Sequence, residues 1–420
     1  MILKKAFGKD STLIKAGAIF FIASVLGAAL NYLYHLIIGR MLGPEKYGVL
    51  GSLFAIIYFI TFFSATFNVV ISKFSSHFSG KSEIRRLKHL IIGAAGKIAL
   101  YGSLLLVIYI LFSPQIAHFM NISDINGIII VGVMAYFSVI FSILIGALNG
   151  MQRFVWQNIS SFSAVFLKFS LGVFFVYIGF GVLGALAAVL IGIVVGIMVA
   201  IIPLFLMLRK IKAEKFDSKS LYLFALPVFI SSSLLSFMIT IDVFLVKHFF
   251  SSADAGHYAA AGMVAKIIWF GSGFFASPIF PMIVELKAKK KDPSKILRKA
   301  LAYTAIIAAI GITAYYAAPI LIVSTLYGAE YLAIAEYIWI FGFALGIYSI
   351  INVLVLYNLA IEKYKYIFIL FIAAIIECTG IYLFHSELID VVKIVLAANI
   401  FLLLGLLFIN RKDIGVKIAQ

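Results

Sequence analysis

The residues able to do chemistry in this chain are charges placed where charge is expensive. Asp242 and Lys266 sit inside consecutive apolar runs on either side of a short polar turn, Asp242 eight residues before Phe250 and Lys266 nine after His257. At a helical rise both lie roughly 12–14 Å below the same surface, close enough to meet. A charge at mid-membrane costs about 2.5 kcal/mol or more, which makes each a functional candidate with the other as its partner. Two chemistries stay open and compatible: an ion pair pinning two helices, or a carboxylate that gains and loses a proton or binds a cation as the protein moves. Glu377, thirteen residues beyond Tyr364, is a second buried acid, read either as a coupling group or as a helix-packing hydrogen bond. Lys168 lies ten residues past Asn158. That is roughly 15 Å from the edge and close to the middle of a ~30 Å core, too deep for its amine to reach either interface. A lysine there is a point charge suited to phosphate, without the fork that arginine offers. Lys97 and Arg40 are nearer to run ends, where snorkelling toward water explains them equally well. Asn31, His35 and Asn68 are the polar neighbours in the same half.

Those charges need apolar helices to carry them. The chain has 420 residues, 64% hydrophobic and only 12% charged, with a mean hydropathy of +1.13, and a water-soluble domain could not cover its surface with so little charge. It reads as an all-α polytopic membrane protein. At ~20 residues per span there are about twelve runs. They fall at 13–39, 48–71, 90–112, 127–148, 158–178, 181–208, 221–249, 257–283, 300–322, 332–358, 365–384 and 389–409, with the fifth and sixth joined around Gly179 to Gly181. The first run is too long for the core of a cleaved signal peptide. Cys378, the single cysteine, sits inside a span and excludes an internal disulfide. Pro227, early in the seventh span, and Pro278 with Pro281 after Gly271 and Gly273 mark where spans bend.

The charge of +17 alternates with the spans. With the N-terminus inside, 27 of the 34 lysines and arginines fall on inner segments, among them Lys81, Arg85, Lys210, Lys212, Lys215 and the run Lys287 to Lys291. Only Arg40, Lys46, Lys247 and Lys393 lie outside, and Lys97, Lys168 and Lys266 within spans. This asymmetry places both termini in the cytoplasm of a multi-pass cell-membrane protein and makes the basic runs topology determinants that touch anionic lipid, in place of a nucleic-acid surface.

The chain also repeats itself weakly. Lys9-Asp10-Ser11-Thr12-Leu13 before the first span is similar to Phe216-Asp217-Ser218-Lys219-Ser220-Leu221 before the seventh. The stretch Ser82 to Lys88 is similar to Ser294 to Lys299, and the turn Arg40 to Gly48 occupies the place of Lys247 to Tyr258. Six spans per half is an even number, so the halves enter the membrane in the same direction and are related by a pseudo-twofold along the membrane normal. The expected organisation is an N-lobe, 1–210, and a C-lobe, 211–420, each of six helices.

At this point the motifs resemble a family. Gly39-Arg40-Met41-Leu42-Gly43-Pro44-Glu45-Lys46-Tyr47-Gly48 is similar to the first hairpin of prokaryotic polysaccharide flippases of the multidrug, oligosaccharidyl-lipid and polysaccharide exporter superfamily. Ile241-Asp242-Val243 followed by Ala255-Gly256-His257-Tyr258 resembles their seventh and eighth spans, and Leu326-Tyr327-Gly328-Ala329-Glu330-Tyr331 with Glu362-Lys363-Tyr364-Lys365 their tenth. The resemblance implies translocation of a lipid-linked sugar to the outer leaflet by alternating access. Such a substrate has an anionic phosphate head on an apolar tail, so Lys168, Lys97, Arg40, Asn31 and Asn68 become candidates for binding it. Asp242, Lys266 and Glu377 become candidates for ion coupling, to protons or sodium, or for structural pairing.

Other classes lack support. The chain has no phosphate-binding glycine loop, no HExxH and no Cys/His cluster, and its seven histidines show no ligand spacing. No cofactor, metal or catalytic residue is expected. A membrane glycosyltransferase or polymerase would usually carry a sizeable outer loop, and none is present. The nearer rival is a cation-coupled exporter of small drugs from the same superfamily, whose cavity should be richer in acids than one holding three deep lysines. The chain is expected to act as a monomer among membrane lipids.

Overall fold

A computed structural model describes residues 11–216, 219–276, 282–283, 286–287 and 291–414. Among them every regular element is helical, and the fold is the all-α, two-lobe arrangement of about twelve spans that the sequence predicts. Pro278, Pro281, Lys289, Lys290 and the Lys9, Asp10, Asp217 and Ser218 parts of the repeat lie outside the described residues.

The helices run in chain order as α1 (Ser11–Gly80), α2 (Ile84–Lys97), a π-helical turn (Ile98–Gly102), α3 (Ser103–Leu111), α4 (Ser113–Phe119), α5 (Ile125–Gly150), α6 (Phe154–Tyr177), α7 (Gly181–Leu208), α8 (Lys219–Met238) and α9 (Ile241–Phe249). They continue as α10 (Ser252–Ala276), α11 (Ser294–Ala317), α12 (Pro319–Leu326), a 3-10 segment (Ala329–Glu336), α13 (Ile338–Ala360), α14 (Tyr366–Leu383), α15 (Leu388–Ile409) and α16 (Arg411–Ile414). Nine spans among the described residues are long and apolar enough to cross a membrane. The other three expected spans lie in α1, which carries two, and in α10.

Local chemistry sets the breaks. Gly43 bends α1 by adopting φ 70°, ψ 171°, a conformation open to glycine and compatible with the following Pro44, which starts the second arm as a pre-set first helical residue. Gly179 and Gly181, at φ 96° and 54°, make the tight turn that joins α6 to α7. Asp124 caps α5 through Asn126 N–H at 2.9 Å. Asp292 takes the Ser294 N–H at 3.0 Å before α11, and that bond holds its carboxyl below the usual range. The seventh span is interrupted at Ile239 and Thr240, where Thr240 donates to the Ser236 carbonyl at 2.7 Å. Pro227, predicted to mark its bend, lies within continuous α8.

The contacts divide into two compact units. The first takes the described parts of Met1–Met41, Ile60–His118 and Ser123–Ala225; the second takes Leu42–Phe59, Phe119–Ile122 and the described parts of Leu226–Gln420. In the first unit α6 and α7 form a hairpin in which Gly192 lets the Ala164 backbone approach, the small-residue packing that membrane helices use. In the same unit Phe78, Leu87, Leu90, Ile91, Leu148 and Leu204 belong to one buried apolar cluster. The second unit is built around α13, which packs on α10, α11 and α15. Side chains tie its helices to neighbouring backbones: Tyr315 donates to Val264 O at 2.6 Å, Tyr348 to Leu235 O at 2.9 Å and Asn399 to Ala344 O at 3.1 Å.

Candidate functional site

In the first unit the structure joins two of the predicted residues. Lys168, 9% exposed on α6, donates from Nζ to Asn31 Oδ1 at 2.7 Å and lies 4.3 Å from the centroid of the Tyr34 ring. The cradle is rigid. Tyr34 donates to the Ala185 carbonyl at 3.0 Å and meets His35 edge-on at 5.3 Å. Gly172, one turn beyond Lys168, makes room for the ring, since a Cβ there would come within 2.6 Å of Tyr34 Cε2.

The other three candidates in this unit are differently placed. Lys97 is exposed at the end of α2, on the face that continues through Leu100, Tyr101 and Leu104, all exposed, which is the setting for snorkelling. Arg40 is exposed nine residues beyond Asn31, roughly 14 Å further along the helix. Asn68 is half-buried, and its backbone is pressed against α5, where a Cβ at Gly146 would lie 2.7 Å from Asn68 O.

In the second unit Asp242 sits in the first turn of α9, 4% exposed, at the positive end of a half-helix. Oδ1 accepts the Val243 N–H at 2.8 Å and Oδ2 accepts the Tyr258 hydroxyl at 2.9 Å. Tyr258 is fully buried and packs on Phe341 with ring centroids 5.1 Å apart. The direct Asp242–Lys266 ion pair is therefore corrected. Among the described residues no ion pair or hydrogen bond joins the two; the Tyr258 hydroxyl and the Val243 N–H hold the carboxylate, and Lys266 lies two helical turns beyond Tyr258. Lys266 Nζ instead stands 5.3 Å from the Tyr58 ring centroid, still within range for its charge to act on Asp242.

Glu377 is also corrected in part. It is 0% exposed, but neither carboxyl oxygen has a hydrogen-bond partner among the described residues, so it makes no helix-packing hydrogen bond. A bare charge in that position is costly, and a proton or a cation relieves it. Its field reaches Asp242, Tyr258 and Tyr348. Gly380 meets Ile394 and Gly405 meets Ile369, an antiparallel register that sets Glu377 level with Ala397, within one turn of Asn399. The Asn399 Oδ1 is likewise buried without a partner. Tyr34, Tyr258, Tyr348 and Asn399 are the contributors that the sequence did not single out; polar atoms inside apolar spans were the available signal. Among the described residues no group of three His, Cys, Asp or Glu is placed to hold a metal.

Parts of the three motifs that carried the family resemblance meet in this unit. A Cβ at Gly48 would overlap the Ser252 carbonyl, one at Gly256 would overlap that of Pro44, and one at Gly51 would lie 2.7 Å from Ala259 Cβ. Tyr47 and Tyr327 meet through their hydroxyls at 3.2 Å, and His257 Nε2 reaches Glu330 O at 3.0 Å.

A family model described as polysaccharide biosynthesis protein matches residues 13–287, more than half of the chain. The chain belongs to that family. No curated protein matches it. Among solved structures, an inward-facing multidrug resistance MATE family transporter of the MOP superfamily superposes with a TM-score of 0.77 at 14% identity, covering 92% of this chain and 94% of that one. The lipid II flippase MurJ in an inward closed conformation gives 0.69 at 17% identity, covering 94% and 89%. A MOP superfamily transporter from Pyrococcus furiosus, described as having a binding pocket of reverse polarity, gives 0.61 at 15% identity, covering 96% of each. At these identities the likeness is one of fold. This polysaccharide biosynthesis family member is thus a multi-pass membrane protein on a transporter fold.

Proposed function

We propose that the chain carries a lipid-linked oligosaccharide, the repeat unit of a polysaccharide, from the cytoplasmic to the outer leaflet by alternating access, with both termini cytoplasmic. The observation that carries this reading is the Lys168 amine, buried at mid-span and held at 2.7 Å by a neutral amide. A phosphate head leaving water needs a cation that already stands in position, and the Asn31 and Tyr34 contacts fix where this amine stands. Family membership and the fold shared with a lipid II flippase support the same substrate class. Asp242 and Glu377 are assigned to coupling, because a carboxyl that takes up a proton or sodium ion changes the cost of its own burial and so biases one conformation. Lys266 tunes that field from beside Tyr58, and Arg40, Lys97 and Asn68 are left as contacts for a substrate on its way through. The second reading, a cation-coupled drug exporter, is favoured by the unpartnered buried Glu377 and by the MATE transporter neighbours.

Vesicle reconstitution separates the two. Translocation of a fluorescent lipid-linked oligosaccharide is followed with and without a proton or sodium gradient. Wild type should flip it, Lys168→Ala should lose at least about tenfold in rate while still inserting, and Glu377→Gln should lose the gradient dependence. Absence of flipping beside robust gradient-driven dye export would overturn the flippase reading.

A further inference from the structure

The segment 209–216 that leaves α7 does not trail free; it is docked along α2 within the first unit. Lys88 Nζ donates to the Ile211 carbonyl at 2.7 Å, and Glu214 N–H donates to the Arg85 carbonyl at 3.2 Å. Phe216 packs between Phe78 and His89, with ring centroids 4.8 and 6.0 Å away. Arg86 bonds two acids among the described residues, Glu83 at 3.1 Å and Glu214 at 3.2 Å. One guanidinium is thereby shared between the two carboxylates. Lys81, Arg85, Lys210, Lys212 and Lys215 remain exposed, and no ion pair among the described residues takes any of them.

We propose that this docked segment and the start of α2 form a platform for anionic phospholipid headgroups, with Lys81, Arg85, Lys212 and Lys215 as its phosphate-binding cations. The surroundings select a lipid over a soluble acidic partner. Immediately before Arg209, α7 exposes Ile202, Phe205 and Leu206, and α2 exposes Ile92 two turns beyond Arg85. The basic rim therefore borders apolar surface directly, which is the profile of the boundary between acyl chains and headgroups. The buried apolar cluster beneath keeps the rim in register. A headgroup bridging Arg85 to Lys212 or Lys215 would brace the segment against α2, and this segment is the covalent path from α7 to α8. Bilayer charge would then set how firmly that connection is held. The proposal is independent of what the protein transports.

The test is hydrogen exchange of the purified full chain in nanodiscs of phosphatidylcholine alone or with added phosphatidylglycerol. Anionic lipid should slow exchange of the amides in 210–216 several-fold, and high salt should remove the effect. The variant carrying Lys81→Gln, Arg85→Gln, Lys212→Gln and Lys215→Gln should exchange like wild type in neutral discs and ignore phosphatidylglycerol. Lys295→Gln with Lys299→Gln should keep the full response. Should the quadruple variant lose its docking outright, Lys81→Arg with Lys212→Arg and Lys215→Arg must still respond. Equal exchange in both discs, an equal loss in the Lys295/Lys299 control, or reproduction of the effect by inorganic phosphate in neutral discs would each overturn the lipid assignment.

Discussion

The Tyr258 hydroxyl donates to Asp242 Oδ2 at 2.9 Å, linking α10 to the first turn of α9 at the point where the seventh span is interrupted. The carboxylate's other oxygen is taken by the Val243 N–H, so one tyrosine and one backbone amide define how Asp242 is held. A charge-assisted bond of this kind, fully buried, is worth more than an exposed ion pair.

Tyr258→Phe keeps the ring packing on Phe341 and removes only the donor. The variant is expected to lose about 1–3 kcal/mol of stability, the cost of leaving a buried acceptor unsatisfied. Thermal unfolding in detergent measures it. Lys266→Met should cost less, because Lys266 acts on Asp242 only at a distance. An effect of Lys266→Met equal to that of Tyr258→Phe would restore the lysine as the direct partner.

At the first-unit site the informative change is Asn31→Asp. It places a carboxylate where the amide oxygen now lies, 2.7 Å from Lys168 Nζ, and creates a part-buried ion pair there. The protein should still fold, since the added charge has a partner and is not left bare. Flipping of an anionic lipid-linked substrate should fall about tenfold or more, because the amine is no longer available to phosphate. Retained flipping in the vesicle assay would remove Lys168 from substrate capture.

Much of this was readable in the sequence because membrane burial is severe. Twelve apolar runs are enough to place the spans, and Lys168 and Asn31 stand out as polar groups in apolar surroundings that then meet. The break before Asp242 was not readable: Thr240 and Ile241 are ordinary inside a span, whereas Pro227, the obvious breaker, sits in an unbroken helix. Partner choice was also hidden. Asp242 and Lys266 share a depth by residue count, yet a tyrosine hydroxyl on the facing helix competes for the carboxylate, and residue spacing along one helix carries no information about which side chain on another arrives first. Glu377 was visible as a buried acid, while its lack of a hydrogen-bond partner among the described residues depends on three-dimensional neighbours.

The contact of Gly48 with the backbone at Ser252 and of Gly256 with that at Pro44 gives the last prediction. These two glycines sit in the two turns that the sequence repeat pairs with each other, and their missing side chains are what let the backbones touch. Because both obstacles are backbone carbonyls, neither can swing aside as a flexible side chain would. Gly48→Leu or Gly256→Leu should therefore force the turns apart, at a cost of about 1–3 kcal/mol to this packing. If the contact is a seal that opens during transport, the variants will shift population toward the open form without unfolding the chain. A cysteine at Ala259, one turn beyond Gly256 and 7% exposed, reports on this through its labelling rate with a water-soluble maleimide. Labelling should accelerate several-fold in the Gly48→Leu background while the melting transition stays cooperative. Unchanged labelling with a lowered melting temperature would make the glycine contact purely structural.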